Sequence, residues 1–438
     1  MISANETTIS VTRGAPRLRN NAVDSLQREL DSLKSEGLYR HLRRVDGPHG
    51  TRIRVDGREA LHFAGSDYLG LTSHPRLKQA ACQATMRYGC GVASARLISG
   101  NHDLYPQLEA RLARFKQAEA ALLFSTGYHA NLGVISALMG SQDVVFSDAL
   151  NHASIVDGCR LSRAQIRIFP HNDLAALERL LERERSVGRR LIAVDGLYSM
   201  DGDVAPLAQI VELADRYGCL TMVDDSHGTG VLGETGRGTA EATGALGRID
   251  IETGSLAKAL GGFGAYVVGN PTVIEYLLNR SRPFIFTCAL PPAVLATVLE
   301  ALTIVEDEPE RRQRLWDNTR YMRIRLREIG FDVNPNGTQI IPLVVGAPER
   351  TMHFCRELLN RGVFAQGIRY PSVPRGTERI RLTVTASHNR AELDIALVAL
   401  DEAARSLNLS KPSSKGEQRW RNTLIPEAIS RAGKSRSC

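Results

Sequence analysis

Long apolar runs are missing from this 438-residue chain, and no stretch approaches the roughly 20 apolar residues that a membrane-crossing helix needs. The opening segment MISANETTISVTRGAPRLRN has no apolar centre of the signal-peptide kind, and Glu6 stands against reading it as a transit segment. Cys-x-x-Cys spacing is absent as well. The seven cysteines (82, 90, 159, 219, 288, 355 and 438) are odd in number, scattered and partly set within apolar runs. They read as free thiols of a reducing compartment, not as disulfides or metal ligands. A cytoplasmic protein without a metal is the expectation. Internal repeats and low-complexity tracts are lacking too.

A net charge is also lacking over most of the chain, despite a formal +7. Arg13, Arg17 and Arg19 against Glu6 make residues 1–20 basic. Lys411, Lys415, Arg419, Arg421, Arg431, Lys434 and Arg436 outweigh Glu417 and Glu427 at the other end. These two tails hold the whole excess, so residues 21–410 are neutral. The basic balance therefore gives the body no nucleic-acid partner, and a scaffold or nucleic-acid-binding reading rests on the tails alone. With 43% hydrophobic and 24% charged residues, the body has the composition of an ordinary globular protein. Its length allows two or three domains.

What is present is an alternation. AALLFS (120–125), VVFSD (144–148), QIRIF (165–169), LIAVDG (191–196), CLTMVDD (219–225), DIETGS (250–255) and AYVVG (265–269) predict buried strands. Segments such as 173–185 and 206–217 carry helical apolar spacing between them. Apolar strands separated by helices imply an α/β fold with a mainly parallel sheet covered on both faces. Beyond residue 300 the pattern changes: helices over 293–308 and 310–329, then IIPLVVG, a helix, VFAQGIRY, the strand IRLTVTA and a last helix over 390–407. This predicts a large domain over 67–300 and a smaller α+β domain over 301–408, joined by residues 21–66. Residues 1–20 and 409–438 are expected to be flexible tails.

In open α/β sheets, ligands gather at the carboxyl ends of the strands, and those ends are chemically rich here. Lys258 in TGSLAKALGG lies among Leu256, Ala257, Ala259 and Leu260. Those neighbours imply burial, which lowers a lysine pKa toward the range useful for Schiff-base chemistry. STGY (125–128) forms a strand-to-helix turn whose free amides suit a phosphate, with Ser255 three residues before Lys258. Asp224 and Asp225 close an apolar strand, where a buried carboxylate needs a partner such as a protonated heterocyclic nitrogen. One of the two is expected to cap the following turn instead. His152 and His227 follow strand ends, and each taken alone reads as a hydrogen-bonded structural histidine. Arg379 and Arg381 share a face of a strand, where Arg381 suits either a substrate carboxylate or a surface ion pair. Gly228 to Gly233 spells G-x-G-x-x-G, yet ETGRGT after it does not start a helix, so a dinucleotide site is rejected.

Together these residues resemble the α-oxoamine synthase family of pyridoxal-phosphate (PLP) enzymes, of aspartate-aminotransferase fold type I. SDYLGL, RLISGNH, FSTGYHANLGV, NHASIVDG, YSMDGD, VDDSHGTGVLGETGRG, AKALGG, FIFTCALPP and VPRGTERIRLT occur in family order from about Leu38 to Leu407. The resemblance implies that Lys258 carries the cofactor and moves the substrate proton. Asp224 pairs with the pyridine nitrogen, His227 contacts the ring hydroxyl, His152 stacks on the ring and Ser199 supports it. Gly127, Tyr128 and Ser255 bind the phosphate, and Thr287 reaches the partner subunit's phosphate in a homodimer with shared active sites. Arg381, helped by Ser66, binds the amino-acid carboxylate.

The implied activity joins a small amino acid, L-alanine before glycine or serine, to an acyl thioester of coenzyme A or an acyl-carrier protein. It releases CO2 and free thiol. An aminotransferase shares the fold and the lysine but consumes no thioester. Three positions depart from the family pattern: Ser66 replaces a common Asn, Tyr105 a common His, and Gly264-Ala265-Tyr266 a more usual Gly-Gly-aromatic.

Overall fold

A computed structural model describes residues 21–184 and 188–409. The basic tails expected at both ends lie outside the described residues, apart from Leu409. Two compact units divide the chain between residues 43 and 44. In the first, helix α1 (Asn21–Ser35) exposes Val23, Leu26, Leu30 and Leu33. The second unit, residues 44–438, holds the sheets.

That unit opens with strands β1 (Val45–Asp46), β2 (Arg52–Val55) and β3 (Arg58–His62), then helix α2 (Pro75–Tyr88), a π-turn (Arg96–Gly100) and α3 (Leu104–Lys116). The alternation follows: β4 (Ala120–Phe124), α4 (Gly127–Leu138), β5 (Val144–Asp148), α5 (Ala153–Ser162), β6 (Gln165–Phe169), α6 (Leu174–Arg183), β7 (Arg190–Asp195), α7 (Leu207–Tyr217), β8 (Leu220–Asp224), α8 (Thr239–Ala242), β9 (Ile251–Ser255) and β10 (Ala265–Gly269). Helices α9 (Pro271–Arg280), α10 (Arg282–Ile285), α11 (Pro292–Asp307) and α12 (Glu310–Glu328) lead to β11 (Ile340–Val344) and α13 (Pro348–Asn360). Short strands β12 (Val363–Phe364) and β13 (Gln366–Ile368), then β14 (Arg379–Thr383) and α14 (Arg390–Ser406), complete it.

The predicted strands form one seven-stranded sheet in the order β4-β10-β9-β8-β7-β5-β6. Only β10 runs against the others, pairing antiparallel with both β4 and β9. Five-residue apolar strands such as VVFSD are buried throughout because helices cover both faces. One face packs Leu122, Phe124, Val145, Met222 and Val267, and the other packs Phe146, Ile192, Val194 and Val223. Helix ends follow local chemistry. Thr126 and Asp173 cap α4 and α6 by accepting the His129 and Ala176 amides, and Gly218 ends α7 in the left-handed region at φ 64°.

The C-terminal region builds a second core over a three-stranded sheet, β11-β14-β13. Pro342 is tolerated because β11 is an edge strand. VFAQGIRY does not form the single strand expected. The chain crosses at Ala365 from one sheet to another, with β12 pairing beside β3 and β13 beside β14. The β14 strand also lacks the alternating exposure its sequence predicts: Arg379 is 5% exposed and Ile380 and Leu382 are fully buried. Its arginine face is covered by the chain around Ser199, as described below.

Phe354 stands at the centre of this second core, fully buried and stacked against Phe331. Phe354→Ala should lower unfolding free energy by about 3–5 kcal/mol, read as a drop in urea midpoint. An unchanged midpoint would show that the core collapses to fill the space.

Candidate active site

Five strand ends deliver one cavity of ≈ 190 Å³, lined by Gly127, Tyr128, His152, Asp195, Ser199, Asp224, Ser226, His227, Ser255 and Lys258 among others. Parallel strands make this convergence possible, since their carboxyl ends all emerge on the same edge. Asp195 and Asp224 end β7 and β8 and are register partners across that pair.

Asp224 is held as an acceptor from two sides. Its Oδ2 accepts from Asn131 Nδ2 at 2.6 Å and its Oδ1 from the Ser226 amide at 2.9 Å. Asn131 is itself oriented, donating to Ser154 Oγ at 2.9 Å and accepting from Thr253 Oγ1 at 2.7 Å. The Ser226 bond makes Asp224 the aspartate that caps the following turn, while Asp225 is directed into the interior. Asp225 accepts from the Thr239 amide at 3.0 Å, Thr229 Oγ1 at 2.8 Å and Lys116 Nζ at 3.0 Å. The loop that spells G-x-G-x-x-G wraps around this buried carboxylate. Gly238 sits at φ +101°, and a Cβ there would collide with Asp225 Oδ2.

Lys258 follows β9 in a turn closed by Gly261 N–H donating to the Lys258 carbonyl at 2.9 Å. Gly261 adopts φ +62°, and a Cβ would come 2.8 Å from the Leu71 carbonyl carbon, so only glycine fits. Burial draws the Lys258 pKa down to about 8; the Asp224 carboxylate opposes the shift and Arg381 adds to it. His152 caps α5, its Nδ1 lying 2.7 Å from Ser154 Oγ, and its amide donates to Asp195 Oδ2 at 3.1 Å. Burial also holds His152 below the ordinary histidine range. The Asp195 carboxyl is raised well above the usual range by burial and then by Asp224. His227 is pushed well below its usual value by burial and by the positive charge of Lys258, Arg381 and His152.

At the start of α4, Thr126 Oγ1 takes the His129 amide. The Gly127 and Tyr128 amides have no acceptor among the described residues. A Cβ at Gly127 would stand 3.8 Å from Ser226 Oγ and 3.9 Å from Ser255 Cβ. The glycine thus leaves open a space ringed by hydroxyls and free amides, which is the chemistry of an anion cradle. Among the described residues no cluster of His, Cys, Asp and Glu suits a metal, and no helix is long and apolar enough to cross a membrane. Cys82, Cys90, Cys159, Cys219, Cys288 and Cys355 are all free.

Arg381 borders the site from β14. Its Nε donates to the Ser199 carbonyl at 2.6 Å and its Nη2 to Tyr68 Oη at 3.3 Å. Arg379 reaches the same segment, donating to the Met200 carbonyl and to Asp201. Three expected site residues are not among those lining the cavity: Arg381, which meets it through the Ser199 carbonyl, Ser66 and Thr287. Ser66 is half-buried, and its carbonyl accepts the Tyr68 amide at 2.9 Å. Thr287 is half-buried between α10 and α11. The departures at 105 and 265 are core positions. Tyr105 is buried under the Arg96 guanidinium, and Ala265 packs with Phe124 and Val267. Sequence reading missed Asp195, Asn131, Ser154, Ser226 and Tyr68. Asp195 carried a signal as the acid ending LIAVD, and Ser226 as the residue directly after CLTMVDD.

The family description "aminotransferase class I and II" matches residues 58–400. The chain belongs to that family and, within it, to the α-oxoamine synthases. An 8-amino-7-oxononanoate synthase from Geobacter metallireducens is 54% identical over 374 residues, covering 85% of this chain and 95% of that protein. One from Bacillus pumilus is 43% identical, covering 88% and 98%. Among solved structures, serine palmitoyltransferase from Sphingomonas wittichii superposes with a TM-score of 0.84 at 31% identity, covering 89% of this chain and 98% of that one. An 8-amino-7-oxononanoate synthase from Francisella tularensis superposes with a TM-score of 0.68 at 28% identity, covering 79% and 98%.

The lysine environment is directly testable. Trapping of Lys258 by an aldehyde and borohydride in cofactor-free protein should rise with pH about a midpoint near 8, followed by peptide mass mapping. A midpoint near the ordinary lysine value of 10.5 would overturn the geometry. The sign extends to stability: above pH 8 the unfolded chain still binds a proton that the folded chain has released, so stability rises with pH toward 10.5.

A second test concerns Lys116, which no solvent reaches and which pairs with Asp225 and Glu252. Burial lifts the Glu252 pKa to about 7 even with the Lys116 charge opposing it. Lys116→Met strands two buried carboxylates and should cost about 3–5 kcal/mol, measured by chemical denaturation at pH 8.

Proposed function

We propose that this chain is a PLP-dependent acyltransferase that condenses L-alanine with a pimeloyl thioester. The products are 8-amino-7-oxononanoate, CO2 and free thiol. One observation carries the reading: a lysine with its pKa drawn to about 8 shares a cavity with an oriented carboxylate and an anion cradle. The nearness of 8-amino-7-oxononanoate synthases in sequence supports alanine and the pimeloyl chain.

The donor set fits PLP. The α4 amides, Ser226 and Ser255 suit the phosphate, Asp224 suits a protonated pyridine nitrogen, and the His152 imidazole offers a flat wall. When bound, PLP supplies an electron sink for negative charge at the amino-acid α-carbon. Lys258 would hold the cofactor through Nζ, and the same Nζ would take the substrate α-proton and later return one. Asn131 and the Ser226 amide orient the Asp224 carboxylate toward the cavity, where it would pair with the pyridine nitrogen. Arg381 keeps guanidinium N–H groups beyond those given to Ser199 and Tyr68, and these bind the substrate carboxylate. The α-carbon joins the acyl carbon, the thiolate leaves, and the carboxylate departs as CO2. In a homodimer Thr287, outside its own cavity, would be the residue to hold the phosphate in the partner's.

Purified protein loaded with PLP should show a cofactor absorbance that Lys258→Ala abolishes. With alanine and pimeloyl thioester it should release CO2 and free thiol in equal amounts. Lys258→Ala should lower turnover at least about a thousandfold. Keto acid formed without thiol release would instead identify an aminotransferase.

A further inference from the structure

Tyr68 lies in the segment between β3 and α2, fully buried. The backbone fixes it from both sides: its amide donates to the Ser66 carbonyl, and its carbonyl accepts from the Ala386 amide at 2.8 Å. Its hydroxyl stands between two site groups, 2.7 Å from His227 Nδ1 and 3.3 Å from Arg381 Nη2. Among the described residues the hydroxyl has no third partner.

This arrangement allows one sensible placement of hydrogens. A guanidinium has donors and no acceptor, so Arg381 donates to Tyr68 Oη. The hydroxyl then has a single proton to give, and His227 Nδ1 is the acceptor within reach. The opposite arrangement, with Nδ1 protonated, would aim two donors at one oxygen and leave the phenolic proton buried without an acceptor. That arrangement costs about 1–3 kcal/mol. We propose that Tyr68 is a positioning residue that locks His227 as the tautomer with a bare Nδ1 and a protonated Nε2, and that Arg381 sets the direction of this lock.

The imidazole is neutral, because burial disfavours its charged form and nearby cations add to that effect. Lys258 on the turn after β9 and Arg381 on β14 press positive charge on it, and a charge on His152 at the start of α5 would do the same. A neutral imidazole offers one N–H, and the lock leaves it on Nε2 for the cavity that His227 lines. The consequence rests on the functional reading above. His227 there faces the cofactor's ring oxygen, and a fixed N–H donor stabilises negative charge on that oxygen. One hydroxyl thereby joins the cation assigned to the substrate carboxylate to the imidazole assigned to the cofactor.

The test reads the tautomer directly, by nitrogen-15 NMR of histidine-labelled, cofactor-free full-length protein. The His227 signals are assigned by their loss in His227→Gln. Wild type should show Nε2 protonated and Nδ1 bare. Tyr68→Phe should give a mixture of tautomers, and Arg381→Leu, which keeps the hydroxyl but frees its direction, should give one too. A protonated Nδ1 in wild type overturns the proposal. So does an unmixed, unchanged tautomer in both variants, even if Tyr68→Phe melts at a lower temperature, since that outcome belongs to packing alone. With cofactor and substrates, Tyr68→Phe should lose about tenfold in kcat, the size of one hydrogen bond to a charged group. KM for the amino acid should change less than kcat does. If wild type forms no cofactor absorbance at Lys258, the functional reading fails, while the tautomer measurement, made without cofactor, still decides the lock.

Discussion

The arrangement of the cavity hangs on a salt bridge that does not line it. Lys116, at the end of α3, places its ammonium between Asp225 and Glu252 with no side-chain exposure at the lysine or at Asp225. An ammonium so buried persists only because two carboxylates, Thr229 and the Arg237 carbonyl surround it. Successive side chains leave an extended strand on opposite sides, so fixing Asp225 inward turns Asp224 to the cavity. The Gly228–Gly238 loop closes over the same carboxylate, and His227 stands at its root. The interior ion pair therefore decides which of two adjacent aspartates does chemistry.

Within the cavity the charges are sorted by surroundings. Asp195 and Asp224 are neighbours across one strand pair, and they differ in the groups that surround them. Asp224 receives two strong hydrogen bonds, while Asp195 receives the His152 amide and is buried more deeply. Burial first, and then the charge of Asp224, favour the proton on Asp195. The same burial strips charge from His152 and His227 and moves Lys258 toward neutrality. What remains is an anion opposite an amine ready to act as base, with Arg381 as the outlying cation.

Much of this was legible in the chain itself. Strand ends announce their polar clusters because apolar runs mark the sheet, so Lys258, Asp224, His152, His227, Ser255 and Gly127 could be found by reading just past each run. Residues that act through distant contact could not be found that way. Tyr68 meets Arg381 across more than 300 residues, and nothing in SDYLGL says which side chain it will touch. Asn131 sits in an apolar helix, and its role appears only once β8 passes beside it. The exposure of β14 was misjudged for the same reason: a single strand does not disclose that another loop covers its polar face.

That covering loop shows how the C-terminal region takes part in a site whose cavity lies at the large sheet. Arg379 and Arg381 grip consecutive carbonyls at Ser199 and Met200, so the loop that presents Ser199 is fastened from β14. From the chain entering β11, Thr338 donates to the Gly202 carbonyl at 2.7 Å and Gln339 to the His227 carbonyl at 3.1 Å. Arg323, buried with no carboxylate partner among the described residues, donates to the carbonyls of Asn334, Thr338 and Ile340. A guanidinium in that setting is costly, and its pKa falls to about 9. The cost is offset by three satisfied carbonyls that hold the 334–340 segment against the site loop. The smaller sheet is thus a clamp on the strand-end loops of the larger one, and the geometry around His227 is set as much by β11 and β14 as by the strand from which His227 emerges.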